Sequence, residues 1–308
     1  MPFSLPPWLD RRRYPFATHF FRTPRGRMHY VDEGRGAPVV FLHGNPTWSF
    51  LWRHLIGRLS RNGFRCIAPD YLGFGLSEKP PLTGFSYQPS AHAACVERLI
   101  EGLGLTGEVT LVMHDWGGPI GAAFATRHPE RVRRLVIFNT WMWPRRDLGF
   151  RLFSRALGSA AGRLAITQGN VFARAVMPLV VGRRARFSAA AHRHYRAPAA
   201  TPPERLGHWV FSKALTGEAD WLRRLWRQRG ALADLPALLV WGMRDPAFRR
   251  QELARWQEVL SQARAYRLPT VGHYVPEEAG PMLAQPVEAF LRGARSTEGG
   301  EMGTHFPT

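Results

Sequence analysis

Short apolar runs rich in β-branched residues recur along this chain with helix-patterned stretches between them, and that alternation constrains the fold more than any other feature. The runs are "APVVFLHG" (37–44), "FRCIAPD" (64–70), "VTLVMHD" (109–115), "VRRLVIFNT" (132–140), "PALLVWGMRD" (236–245) and "ARAYRLPTVGH" (263–273). Helical periodicity fills 50–62, 90–104, 117–128, 249–261 and 282–293. Strand, helix, strand in succession predicts an α/β protein with a mostly parallel central sheet flanked by helices on both faces. Two earlier runs, "ATHFFRT" and "RMHYVDEG", are joined by a "PRG" turn and open the sheet as an antiparallel hairpin.

One region breaks the alternation. From 143 to 215 no convincing strand occurs, only helix-like segments rich in arginine and alanine. This reads as an inserted all-helical cap on a core formed by 1–142 and 216–295, with a disordered tail at 296–308. Ligands of open α/β sheets bind beyond the carboxyl ends of the strands, where such a cap would close a pocket.

At 308 residues and 45% hydrophobic content, the chain can bury a large core. No apolar run approaches the roughly 20 residues of a membrane helix. The N-terminus "MPFSLPPWLDRRRYPF" has its arginines after the apolar start, the reverse of a secretory leader, so a cytoplasmic protein is expected. Cys66 and Cys95 read as free buried thiols. The net charge of +19 is almost wholly arginine spread through short groups such as "RRR" (11–13), "GRRARF" (182–187) and "WLRRLWRQRG" (221–230). With no nucleic-acid module around them, these read as solvated faces, and no nucleic-acid or membrane partner is expected.

Four strands end in polar residues at the carboxyl edge: His43-Gly44-Asn45-Pro46, Asp115-Trp116-Gly117-Gly118, Asp245-Pro246 and Gly272-His273. Singly, each is an ordinary helix cap or turn. Together they follow the chain order nucleophile, acid, histidine of the α/β-hydrolase triad. The nucleophile position holds Asp115 where a serine is usual. Gly117 and Gly118 give the turn room, while Met113 departs from the glycine usual two places before the nucleophile.

A carboxylate is ionised at neutral pH and needs no base to attack. Attack on an ester or amide would give an anhydride, whereas displacement at a saturated carbon gives an ester that water then cuts. His273, oriented by Asp245, would activate that water. Backbone N–H groups of Asn45 and Trp116 would hold the oxyanion. A departing halide needs hydrogen-bond donors in a dry pocket, which the Trp116 indole and the Asn45 amide could supply.

"HGNPTWSFLWR", "HDWGGPIG", "NTWMWP", "WGMRDPAF" and "GHYVPEE" resemble the haloalkane dehalogenase family of α/β hydrolases over nearly the whole chain up to about residue 293. The resemblance implies Asp115 as nucleophile, His273 as base, Asp245 as acid, and Asn45 with Trp116 as the halide pair. It implies a small halogenated alkane and water as substrates, halide as product, and no metal or cofactor. Some members carry a glutamate acid after the preceding strand; here Asn139 to Trp141 hold no carboxylate, which resembles the subgroup with an Asp acid and an Asn–Trp pair. Its members tend to associate, leaving a homo-oligomer open.

The nearest alternative is an epoxide hydrolase with the same Asp-His-Asp triad. It protonates an alkoxide with two lid tyrosines, and 143–215 contains only Tyr195; such enzymes also resemble "HGFP" where Asn45 stands. A fluoroacetate-type dehalogenase would carry an arginine soon after the nucleophile, and 116–123 has none. A non-catalytic binding protein of this fold usually lacks a triad member. A serine esterase is disfavoured because Ser77 lies in no elbow, and His54, His92, His192 and His194 lack partners at metal-ligand spacing. Phe150, Phe153, Phe172, Phe187 and Leu206 are candidate pocket residues.

Overall fold

The computed structural model describes residues 4–145, 147–183 and 187–293, so the tail expected at 296–308 lies outside the described residues. Eight strands form one sheet in the order β1-β2-β4-β3-β5-β6-β7-β8. They are β1 His19–Thr23, β2 Gly26–Glu33, β3 Ala37–Leu42, β4 Phe64–Pro69, β5 Val109–His114, β6 Val132–Phe138, β7 Ala237–Gly242 and β8 Arg264–Leu268. The first two form the expected hairpin, and β2 also runs antiparallel to β4. Every other pairing is parallel, so the sheet is of the expected class.

The central strands are largely apolar, with polar residues mainly at their ends, because helices cover both faces. On β5, Leu111 and Met113 enter one core with α2 (Pro89–Gly102) and α3 (Gly117–Arg127), while Val112 enters the other. That second core is closed by α1 (Arg53–Leu59), through Leu55 and Ile56, and by the helix Gly280–Leu291, through Leu283 and Val287. Cys66 and Cys95 are buried and free. No described helix is long and apolar enough to cross a membrane.

Between β6 and β7 the described residues form helices and turns, beginning with α4 (Leu148–Gly158) and α5 (Ala160–Thr167). After them come a wide turn at Phe172–Val176 and the helices Ala189–Arg196, Leu206–Gly217 and Ala219–Arg227. The second of these three helices, Leu206–Gly217, packs on α4 and runs past the boundary placed at 215; Ala219–Arg227 packs instead on α3 of the core.

A buried ion pair ties this region to the sheet. Arg53 of α1 donates to both carboxylate oxygens of Glu277, at 2.6 and 2.7 Å, and the Tyr195 hydroxyl donates to the same carboxylate at 2.6 Å. Glu277 sits four residues after His273, so the pair fixes the histidine loop to α1 and to the helix Ala189–Arg196. Removing one partner of a buried pair strands the other charge, which typically costs about 3–5 kcal/mol. Glu277→Gln should therefore lower the stability measured by urea unfolding by about that amount; a loss under about 1 kcal/mol would show that the pair is dispensable.

Candidate active site

Asp115 stands between the end of β5 and the start of α3, with φ of 49°. Aspartate tolerates this left-handed conformation better than most residues, and the turn lifts its side chain above the sheet edge. The following helix must begin against β3: a Cβ on Gly117 would collide with the Leu42 carbonyl. Met113 fits where a glycine is usual because the crowding is relieved from the helix side. A Cβ on Gly121 would overlap the Met113 sulfur.

The Asp115 carboxylate is buried, and its Oδ2 accepts from the Asn45 backbone N–H at 2.7 Å. The turn is held by the Asn139 carbonyl, which accepts from the Asp115 N–H at 3.2 Å, and by the Thr140 hydroxyl, which donates to the Asp115 carbonyl. Burial pushes the Asp115 carboxyl up to about 6, partly countered by the charge of His273 and by the backbone N–H groups of Asn45 and Trp116.

His273 faces Asp245 from the loop after β8, with Nδ1 and Oδ2 2.8 Å apart. Burial alone would lower the imidazole; the charge and hydrogen bond of Asp245, with the charge of Asp115, outweigh it and raise the pKa above its ordinary value. Asp245 is positioned in turn by the Ala247 N–H at 2.7 Å and by the Asn139 amide, which donates to Oδ2 at 2.9 Å. Asn139 also spans β6 and β7, accepting from the Gly242 N–H and donating to its carbonyl. Asn139, just after β6, is thus a donor aimed at the Asp245 carboxylate just after β7.

The histidine loop is braced from three sides. His114 donates through Nε2 to the His273 carbonyl at 2.9 Å, and the Val180 carbonyl accepts from the His273 N–H at 2.9 Å. The Glu278 carboxylate accepts from the N–H groups of Gly272, Gly182 and Arg183. Burial raises the Glu278 carboxyl to about 7, against the opposing pull of those N–H groups.

These residues line a cavity of about 90 Å³. Asn45, Asp115, Trp116, His273 and Tyr274 form its floor, and Phe150, Phe153, Phe172, Val176 and Leu215 lie on its helical side. That is well below the roughly 300–1,000 Å³ of pockets that take drug-sized ligands, so the described form suits a small apolar molecule. Phe187 and Leu206 do not line it. Phe187 packs on Tyr195 and His192, and Leu206 packs against the larger core.

Asn45 is present but differently engaged than its sequence position suggested. Its side-chain amide donates to the His208 carbonyl at 3.1 Å and to the Ser212 hydroxyl at 3.3 Å, both on the helix Leu206–Gly217, and its Oδ1 is buried without a partner. Trp116 is buried edge-on to Trp141 at 4.6 Å between ring centres. Asn139, His114, Thr140 and Ser212 escaped the sequence reading. Only "FNT" at 138–140, flagged for lacking an acid, offered a signal.

A strand-end carboxylate on a positive-φ turn, a hydrogen-bonded His273–Asp245 pair and a helical region over one sheet edge are arranged as in an α/β hydrolase, and a family model described as alpha/beta hydrolase fold matches residues 37–279. The chain is 41% identical over 280 residues to haloalkane dehalogenase 2 of Mycobacterium tuberculosis, covering 90% of this chain and 96% of that one. It is 36% identical to a cis-3-alkyl-4-alkyloxetan-2-one decarboxylase of Xanthomonas campestris, covering 86% and 92%. The crystal structure of haloalkane dehalogenase DbeA from Bradyrhizobium elkani superposes with a TM-score of 0.82 at 30% identity, covering 91% and 98%. The chain belongs to the α/β hydrolase family and, within it, to the enzymes of the haloalkane dehalogenase family.

An ionised Asp115 is held in the native state at a cost. Its native pKa lies above the ordinary value of 3.8, so the stability it contributes is fully present below about pH 4 and is lost as pH rises through about 6. Asp115→Asn should therefore be more stable than the wild type at neutral pH by on the order of 1–3 kcal/mol and melt at a higher temperature, with the difference vanishing toward pH 4. A variant that melts well below wild type at neutral pH would contradict this.

Proposed function

We propose that the enzyme hydrolyses small haloalkanes to alcohol and halide through an ester on Asp115. The observation that carries this reading is a buried carboxylate on a positive-φ turn, facing a small apolar cavity that His273 also lines. In the first step an Asp115 oxygen attacks the carbon bearing the halogen, the carbon–halogen bond breaks, and the halide leaves with its electron pair. Desolvation, which raises the carboxyl pKa, also leaves the carboxylate a stronger nucleophile than in water.

The Trp116 indole N–H is the first donor for the departing halide. The Asn45 amide joins it by leaving Ser212, the longer of its two hydrogen bonds. Each donor to the anion contributes about 1.5–3 kcal/mol. The segment 143–215 acts as the cap that excludes water from the displacement.

Alkylation neutralises Asp115 and so removes one of the charges that raise the His273 pKa. Loss of that charge lowers the His273 pKa and so favours the neutral imidazole that the second step requires. It takes a proton from water, the hydroxide attacks the ester carbonyl, and the Asn45 and Trp116 N–H groups receive the oxyanion. Asp245 holds the imidazolium until collapse of the intermediate releases the alcohol and restores the carboxylate.

Epoxide opening is disfavoured on the same geometry. Tyr195 spends its hydroxyl on Glu277 and does not line the cavity, which leaves Tyr274 as its one tyrosine. A second displacement has support from the oxetanone-decarboxylating relative. In a β-lactone, Asp115 would attack the ring carbon bearing oxygen, with the ring carboxylate as leaving group. Loss of carbon dioxide would then expel Asp115 and give an alkene without water.

Purified enzyme should release halide from a panel of small bromo- and iodoalkanes, with Asp115→Asn reducing turnover to background. His273→Phe should accumulate an alkyl adduct on the peptide containing Asp115, seen by mass spectrometry. Alkene from a cis-disubstituted oxetan-2-one without halide from any alkane would transfer the assignment to the second reading, and absence of both products would remove both.

The nucleophile is lost as pH falls through the Asp115 pKa. Specificity for the haloalkane, kcat/KM, should fall about tenfold per pH unit below about pH 6. A profile level down to about pH 5 would rule out the carboxyl as described.

A further inference from the structure

Some arginines of this chain are answered by carboxylates or aromatic rings. In the cleft around Trp143 and Trp226, Arg145 meets Asp147 and Glu252, Arg223 meets Asp220, and Arg255 lies over both indoles. A second cleft, of about 660 Å³, lies between the N-terminal segment and the helical region, and its arginines are not answered. Its walls carry Arg174, Arg193, Arg196 and Arg205, with Trp8 and Asp10 opposite. Among the described residues none of these four arginines forms an ion pair with a carboxylate.

Local roles account for part of this charge. Arg205 is buried and donates to the carbonyls of Thr167, Gln168, Ala199 and Ala200, closing the end of α5. Arg196 and Arg193 occupy the last turn of the helix Ala189–Arg196, where a cation is favoured by the helix dipole. Those roles leave the charges uncancelled. Burial depresses the Arg205 pKa, and although the Glu204 carboxylate pulls it back up, the nearby charges of Arg174 and Arg196 push it down further; the buried Arg196 Nε–H has no acceptor. The one carboxylate in the cleft, Asp10, is engaged by the Arg12 N–H and the Arg13 guanidinium.

We infer that this cleft binds a small soluble molecule carrying a diphosphate group. Guanidinium forks match phosphate oxygens in pairs, and several unpaired arginines around one cleft of this size suit more than one phosphate. Occupancy would be felt in the active site, because Arg174 faces the cleft from the turn Phe172–Val176, whose Phe172 and Val176 line the catalytic cavity.

The test is calorimetric titration of the full chain with pyrophosphate in about 0.15 M sodium chloride, where surface attraction is screened. Saturable binding of one pyrophosphate per chain is expected, weakened at least about tenfold by Arg174→Gln with Arg193→Gln. Both positions are exposed, so circular dichroism and melting should match wild type. Arg151→Gln with Arg155→Gln on α4 makes the same charge change elsewhere and should leave binding intact. Bound pyrophosphate should also slow amide exchange in residues 170–179. Equal loss in both double variants, no saturable binding, binding only to phosphatidic acid vesicles, or protection confined to other segments would overturn the site.

Discussion

Burying one ionisable carboxylate at the end of β5 is the constraint around which this structure is arranged. Asp115 is held at positive φ, out of water, with the Asn45 backbone N–H 2.7 Å from its carboxylate and its pKa raised to about 6. Such a group is unstable by itself. It is tolerated because the sheet edge beneath it is rigid: α3 starts in contact with β3, and the Asn139 carbonyl and Thr140 hydroxyl fix the turn.

The same edge aligns the His273 imidazole. His273 lies on a loop with no regular structure, yet its ring and backbone are held from β5 by His114, from β6 by Asn139 through Asp245, and from the helical region by Val180. Glu278 and Glu277 extend that hold to the 180–183 segment and to Tyr195. The region over the active site and the catalytic loop are therefore one mechanical unit. Positioning through neighbouring hydrogen bonds is what the proposed two-step displacement needs, since in it the carboxylate and the imidazole would act in sequence at the same carbon and its ester.

Much of the fold was readable because central parallel strands are buried on both faces and so must be apolar along their length. Runs such as "LVIF" and "LLVW" record that directly. The strand-end polar residues were readable for the same reason, as abrupt exceptions. What escaped depends on neighbours distant in sequence. Nothing local to Asn139 says that its amide reaches Asp245 across two strands, or that the Asn45 amide turns to His208 and Ser212 on a helix more than 160 residues away. The aromatic residues divided likewise: Phe150, Phe153 and Phe172 reach the cavity, whereas Phe187 stacks on Tyr195 because its segment turns away.

The proposed covalent attack by Asp115 differs from direct attack by activated water, and a single turnover in water enriched in heavy oxygen separates the two. With enzyme in excess over a bromoalkane, the first alcohol should carry ordinary oxygen taken from the carboxylate, and the peptide containing Asp115 should become heavier by one oxygen label. Heavy oxygen in that first alcohol, with an unlabelled Asp115 peptide, would mean that water attacks the substrate directly and that Asp115 is not the nucleophile.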